Sequence, residues 1–388
     1  MKKKTILVTG GAGYIGSITV KELLDNDFEV VVFDNLETGY KEAIDPRAKL
    51  VTGDLTNKSE IEAVFRNNKI DGVIDFAAYI AVGESMENPK KYLQNNVFNF
   101  INLLDVLLLY GKPPLIKSST AAVYGNPEDP ASFPLLEGYT ENNVFDKSSL
   151  LGGFWEEKET CGEEFFQEVI SYYQEMISDR PTLSLKDDEI AKLRIPASVY
   201  GLSKLLDEIL MKKYDSNFGQ KSVALRYFNV AGADPEGKRG QASPAPTHLI
   251  TLTIFQALGR ISQLSVFGGD YPTKDGTGVR DYIHIVDLAQ GHLAALNYLF
   301  ESNTSDTINL GCGHGYSVLE VIREVERVAG KKVDYAIKER RLGDPAEIYA
   351  DPTKAGQILH WKAEKSLSDM VRDAYNWHRT HPRGYNSI

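Results

Sequence analysis

Apolar residues come in short runs separated by longer amphipathic stretches. The run "TILVT" at 5–9 has the composition of a buried strand, and "SITVKELLDND" after it reads as a helix. "FEVVVFD" (28–34), "KLVTGD" (49–54), "GVIDFAA" (72–78), "PLIKSST" (114–120) and "SVALRYFN" (222–229) repeat the strand pattern. Helical patterns lie between most of them. Alternation of this kind predicts a doubly wound α/β fold of Rossmann type, a parallel sheet with its ligands at the carboxyl rim. Residues 1–230 form the first domain in this reading, and 231–388 a smaller α/β domain. A strand and helix near 281–300 are expected to return to the first sheet.

Two helical stretches are apolar on more than one side. Residues 88–110 carry Leu93, Val97, Phe100, Ile101, Leu104, Leu107 and Leu108, and the helix opening at 200 carries Leu202, Leu205, Leu206, Ile209 and Leu210. One stripe of each covers the sheet. The second needs another partner, either a second copy, giving a homodimer through helices 88–110 and 200–216, or more of the same chain. Residues 138–195 break the alternation. They are too long for an ordinary loop, and "EEFFQEVISYYQEMI" places Phe165, Phe166, Val169, Ile170, Tyr173, Met176 and Ile177 at helical spacing. This predicts an ordered helical insert, set either over the pocket, against a partner, or on the surface with no part in the chemistry.

Composition narrows the function. A formal charge of −11 argues against an electrostatic nucleic-acid binder. No apolar run has the length to span a bilayer, and the basic start "MKKKTILVTGG" lacks a signal-peptide core. Cys161 and Cys312 stand far apart in no metal-ligand spacing. A cytoplasmic protein with no metal, no nucleic-acid partner and no membrane partner is expected.

The strand–"GGAGYIG"–helix unit places Gly10, Gly13 and Gly16 three apart. The first allows a tight turn, the second a close approach of a pyrophosphate, and the third close packing of helix on strand. Tyr14 and Ile15 open the helix whose N-terminus faces the phosphates. Asp34, at the end of the second strand, can accept from both ribose hydroxyls of NAD and repel the added phosphate of NADP. Asn35, Asp54 and Leu55 fall at the adenine edge, and Phe76, Ala77 and Ala78 follow the strand at 72. NAD is the expected cofactor.

Of the twenty tyrosines, Tyr200 alone has lysine four positions on, at Lys204. The pair opens a helix, so both residues share one face. A phenol near pKa 10 is a poor base at neutral pH. A neighbouring ammonium and an oxidised nicotinamide would lower that pKa. Thr120, at the end of the 114–120 strand, can hydrogen-bond the same substrate oxygen. Ala121 and Ala122 follow it and cannot move a proton.

These segments resemble those of the extended short-chain dehydrogenase/reductases, in particular their UDP-sugar 4-epimerase branch. "VTGGAGYIGS", "FDNLETG", "AVGESMENP", "SSTAAVYG", "YGLSK", "RYFNVAGADP", "FGGDYPTKDGTGVRDYIHIVDLA", "ERRLGDPAEIYAD" and "WHRTHPRGY" carry the likeness, which covers nearly all but the insert. The resemblance implies interconversion of UDP-glucose and UDP-galactose through a 4-keto sugar that turns in the pocket, with Tyr200, Lys204 and Thr120 catalytic. It implies that Asn95 and Phe228 join the cofactor site. It implies Arg280 and Arg341 on the diphosphate, with Asn229, Phe267 and Asp344 lining the nucleotide. His248 and Leu249 stand in the diphosphate loop, His248 where the family often has Asn. Ile348 stands at the position that gates N-acetylated sugars. Ile80 replaces a frequent lysine. Other readings are a 4-epimerase of UDP-N-acetylhexosamine or UDP-uronate, and a non-catalytic NAD-binding regulator.

Overall fold

The computed structural model describes residues 3–125, 134–137, 162–186, 189, 196–243, 246–341 and 344–387. The remainder of the 138–195 insert, with the side chains of Phe165 and Phe166, lies outside them.

In chain order, the first half runs β1 (Thr5–Thr9), α1 (Tyr14–Asp25), β2 (Glu29–Asp34), β3 (Lys49–Thr52), α2 (Lys58–Asn67) and β4 (Gly72–Asp75). Then come α3 (Val82–Glu87), α4 (Pro89–Tyr92), α5 (Asn99–Leu109), β5 (Leu115–Thr120), α6 (Gly162–Met176), α7 (Val199–Phe218) and β6 (Ser222–Tyr227). The second half holds β7 (Asn229–Ala231), α8 (Leu249–Ala257), β8 (Leu264–Phe267), β9 (Val279–Arg280), β10 (Tyr282–His284), α9 (Ile285–Ser302) and β11 (Asp306–Leu310). It closes with β12 (Tyr316–Ser317), α10 (Val318–Ala329), β13 (Tyr335–Lys338), β14 (Glu347–Ile348), α11 (Thr353–Ile358) and α12 (Leu367–Thr380).

Seven strands form one sheet in the order β11-β6-β5-β4-β1-β2-β3, every pairing parallel. Strand order reverses between β1 and β4, the crevice where doubly wound sheets bind ligands. Alternating side chains divide the core. Ile6, Val8, Ile74, Ile116 and Leu225 bury one face beneath α1 and α9. Leu7, Val73, Leu115 and Ala224 bury the other beneath α2, α5 and α7. The smaller sheets β10-β7, β12-β9-β14 and β13-β8 carry the second half, with α8, α10 and α12 packed together around Ile254, Val321 and Met370. Ser317 and Ser366 start α10 and α12 with reciprocal capping boxes.

The helix expected at 88–110 is interrupted, because Leu93–Phe98 forms a π turn between α4 and α5. At this turn Asn96 turns its side chain away from the helix. It accepts from Tyr79 N at 2.8 Å and donates to Tyr79 O and Ser203 Oγ, both at 3.0 Å. Such widened turns concentrate near functional sites.

Part of the second apolar face of these helices is met by the same chain. The insert covers it: Val169, Ile170, Tyr173, Ile177, Leu183 and Leu185 share one core with Leu93, Val97, Ile101, Leu104, Leu202, Leu206 and Leu210. Tyr172 and Tyr173 meet Phe98 with ring centroids 6.1 and 6.3 Å apart. Arg180 pairs with Asp105 at 2.9 Å, and Lys213 with Glu189 at 2.9 Å. The described part of the insert is therefore a clamp on the back of the helix pair, while Leu109 and Phe218 of the same two helices stay exposed.

Candidate active site

The glycine loop after β1 allows no side chain where its role needs none. Gly10 has φ +67°, and a Cβ there would stand 2.8 Å from Ala77 N. A Cβ on Gly16 would stand 2.3 Å from Gly10 O. No side chain caps α1 at Gly13, so its first amides face outward as donors for an anion. Asp34 accepts from Ala12 N and Leu36 N, both at 2.9 Å, which fixes the carboxylate beside the loop. Burial pushes its pKa up, and those backbone bonds oppose the rise. Asn35 donates to Asp54 at 2.8 Å, with Leu55 buried beside them. Phe76 N bonds Thr9 O at 3.0 Å, and Ala77 N bonds Asp75 at 3.0 Å, which lays the 76–78 backbone along the loop. Asn95 donates to Asn96 at 3.0 Å. An uncapped helix end, a cradle that a Cβ would fill and a fixed carboxylate on the next strand fit a dinucleotide.

Tyr200 and Lys204 lie in the first turns of α7. Ser198 caps that helix by accepting from Gly201 N at 3.1 Å. Ser85 Oγ accepts from Tyr200 N at 3.1 Å. Gly201 has no room for a side chain, since a Cβ would stand 2.6 Å from Ala122 O. This contact holds α7 against the turn after β5, and Thr120 ends β5 within hydrogen-bonding reach of the Tyr200 phenol.

The electrostatics depart from the expected pairing. Lys204 is buried and donates to Ser118 O at 3.0 Å and Ser118 Oγ at 3.3 Å, not to the phenol. Its pKa falls to about 8, chiefly through burial and then through repulsion by Lys117. The Tyr200 phenol is pushed up to about 12 by burial. The Thr120 hydrogen bond and then Lys117 oppose that rise, and Asp207 adds to it. Within the bare protein the cation acting on the phenol is thus Lys117, which sequence reasoning missed. A lysine inside an apolar strand run was the available signal.

The remaining residues form a second group. Phe228 stacks near Tyr124 with centroids 6.5 Å apart, in a cluster with Leu205 that Ile348 packs against. Asn229 donates to Asp281 O at 3.0 Å. Arg280 faces Asp344 at 3.6 Å, and the Arg341 guanidinium lies 4.1 Å from the centre of the Phe267 ring. His248 precedes α8, which begins at Leu249. Its Nδ1 meets Gln241 Nε2 at 2.8 Å and accepts from it, leaving Nε2–H to donate. Burial lowers the His248 pKa, favouring the neutral ring. Ile80 is 62% exposed at the rim.

Fold and site define a nucleotide-binding α/β enzyme built around a tyrosine–lysine pair. Residues 6–150 match the NAD dependent epimerase/dehydratase family, and residues 185–374 match GDP-mannose 4,6 dehydratase. The UDP-glucose 4-epimerase of Lacticaseibacillus casei is 39% identical over 382 residues, covering 98% of each chain. The UDP-glucose 4-epimerase of Bifidobacterium longum, solved with NAD+ and UDP, superposes with a TM-score of 0.78 at 35% identity, covering 98% of this chain and 100% of that one. The UDP-Glc/GlcNAc 4-epimerase of Campylobacter jejuni gives 0.72 at 35% identity, covering 97% and 99%. The chain belongs to the NAD dependent epimerase/dehydratase family.

Proposed function

We propose that the chain interconverts UDP-glucose and UDP-galactose by inverting C4. The observation that carries this reading is the meeting of Tyr200, Thr120 and the buried Lys204 where α7 crosses the end of β5, on the rim that also holds the glycine loop. Tyr200 takes the proton of the sugar 4-hydroxyl as its base and returns it at the end of the cycle. Thr120 holds the same oxygen by a hydrogen bond. Lys204 stands one turn along α7 as the second member of the pair, and the positive charge that favours the ionised phenol in the protein alone comes from Lys117. When bound, NAD supplies the acceptor and donor of the C4 hydrogen. Gly10, Gly13, Gly16 and Asp34 would hold it, with Tyr14, Ile15, Asn35, Asp54, Leu55, Phe76, Ala77, Ala78, Asn95 and Phe228 around it. Arg280 and Arg341 would hold the diphosphate by charged hydrogen bonds, with His248 and Leu249 beside it and Asn229, Phe267 and Asp344 along the nucleotide. Anchoring at that end leaves the sugar free to turn.

Ala121 and Ala122 follow Thr120, and neither can donate or accept a proton, so the site supports epimerisation rather than loss of water. In this reading residues 1–230 hold the cofactor and 231–388 the sugar nucleotide. A homodimer would form through helices 88–110 and 200–216, where Leu109 and Phe218 stay exposed. Cys312 is unpaired, which fits a reducing, cytoplasmic setting. Among the described residues no helix is long and apolar enough to cross a membrane.

The test is incubation with UDP-galactose, and in parallel with UDP-N-acetylgalactosamine, without added NAD. Conversion of UDP-galactose to UDP-glucose is expected, and Tyr200→Phe should lower the rate by about 10²–10⁴. Conversion of the N-acetylated sugar alone would move the substrate assignment. No conversion of either, with NAD then supplied, would overturn the reading in favour of a non-catalytic binder.

A further inference from the structure

We propose that Lys117 and Asp207, anchored by Asp75, are positioning residues for the reaction: a buried charge cluster that sets the proton affinity of the Tyr200–Lys204 pair from behind. The inference rests on the reading of Tyr200 as the acid–base group.

The register of the sheet builds the cluster. Asp75 on β4 stands directly opposite Lys117 on β5, so both side chains leave the same face, the one beneath α7. Lys204 and Asp207 are three residues apart on α7 and share the helix face turned to the sheet. Lys117 Nζ bonds Asp75 at 2.6 Å, faces Asp207 at 3.3 Å and lies 4.1 Å from the centre of the Phe100 ring. All four charged residues are at most 2% exposed.

Such a cluster is costly as a structural device. Each buried ion forfeits its hydration, and a well-packed apolar set of similar volume is often as stable or more so. Its members are also unequally satisfied. Asp75 accepts from Thr9 Oγ1, Ala77 N and Lys117. Among the described residues Asp207 has only the ion-pair approach of Lys117, and neither of its oxygens has a hydrogen-bond partner there. The carboxylate held least firmly is therefore the one a turn from Lys204. Burial raises its pKa to about 6, and Lys117 and Lys204 oppose the rise.

The charge balance follows. With Asp207 ionised, two ammoniums face two carboxylates. With Asp207 neutral, one positive charge is left over, and it favours phenolate at Tyr200. Other ionisable groups packed on this face are accounted for. Glu208 is closed by Arg226 at 2.6 Å and Ser119 at 2.5 Å. Tyr227, on β6, packs with the opposite layer and is raised by burial, with the Tyr200 phenol adding to the rise. Tyr173, from the insert, donates to Leu183 O at 3.1 Å. Tyr92, behind Tyr200, donates to Glu84 at 3.0 Å.

The experiment is the pH profile of kcat/KM for UDP-galactose in Asp207→Asn, beside wild type and Tyr200→Phe. Removing the negative charge eases ionisation of the phenol and of the Lys204 ammonium, so both limbs should move to lower pH by about one unit. The double variant Lys117→Met/Asp207→Leu removes the pair together. It should move both limbs to higher pH, because Lys117 outweighs Asp207 on both groups. Shifts of opposite sign establish the role. Limbs that stay in place in a folded variant overturn it, as does failure of both variants to fold, which assigns the cluster to stability alone. If Tyr200→Phe keeps turnover within a few-fold of wild type, the underlying acid–base reading fails instead.

Discussion

The two faces of the central sheet do different work, and neighbouring residues of one strand show it. Ile116 points beneath α1 and α9 into a layer built mainly of apolar side chains. Lys117 points beneath α5 and α7 into a layer that holds two ammoniums and two carboxylates. Both residues are 0% exposed. The apolar face gains stability from burial in proportion to area. The charged face gives some of that up, and the catalytic helix is the element that packs against it. Stability and chemistry are thus separated by the pleat of one strand.

Mutations on the two sides should separate in the same way. The largest effect is expected from Lys117→Met alone, which leaves Asp75 and Asp207 buried without their cation. It should cost about 3–5 kcal/mol in denaturant unfolding and should also displace the pH profile. Ile116→Ala, one residue away, should cost about 2–5 kcal/mol by leaving a cavity, with the pH limbs unmoved. A moved limb in Ile116→Ala would break the division between the faces.

The smallest effect at neutral pH is expected at His292, on α9. Its ring packs on Phe76 and Tyr227, and its Nε2 has no partner among the described residues. Burial lowers its pKa to about 4 from an ordinary 6.5, although its bond to Leu288 O acts the other way. The folded state therefore holds this ring neutral, while the unfolded chain takes up a proton first as pH falls. Its contribution is complete above pH 6.5 and is lost as pH drops toward 4, by roughly 3 kcal/mol. His292→Leu should flatten the unfolding free energy across that window and change little at pH 7. An unchanged slope would show that other groups control acid stability.

Much of this was legible in the sequence, because it depended on local pattern. The strand runs, the glycine loop, the helix opening at Tyr200 and the insert helix at 162–176 each follow from periodicity or spacing within a short window. The charged cluster does not. Lys117 and Asp75 are strand residues whose meeting depends on register, and Asp207 on a helix is indistinguishable by spacing from a solvated acid. The pairing of Lys204 with Ser118 rather than Tyr200 was likewise set by how deeply α7 sits. The second apolar faces of the long helices were visible, but their cover was settled only by tertiary packing.

That cover has a thermodynamic meaning. Part of the strip along α5 and α7 is covered by α6 and the residues after it in the same polypeptide, so that part of its closure carries no term in protein concentration. Dilution that would strip a neighbouring molecule leaves these contacts in place, and the helix bearing Tyr200 and Lys204 keeps this part of its backing however few copies are present.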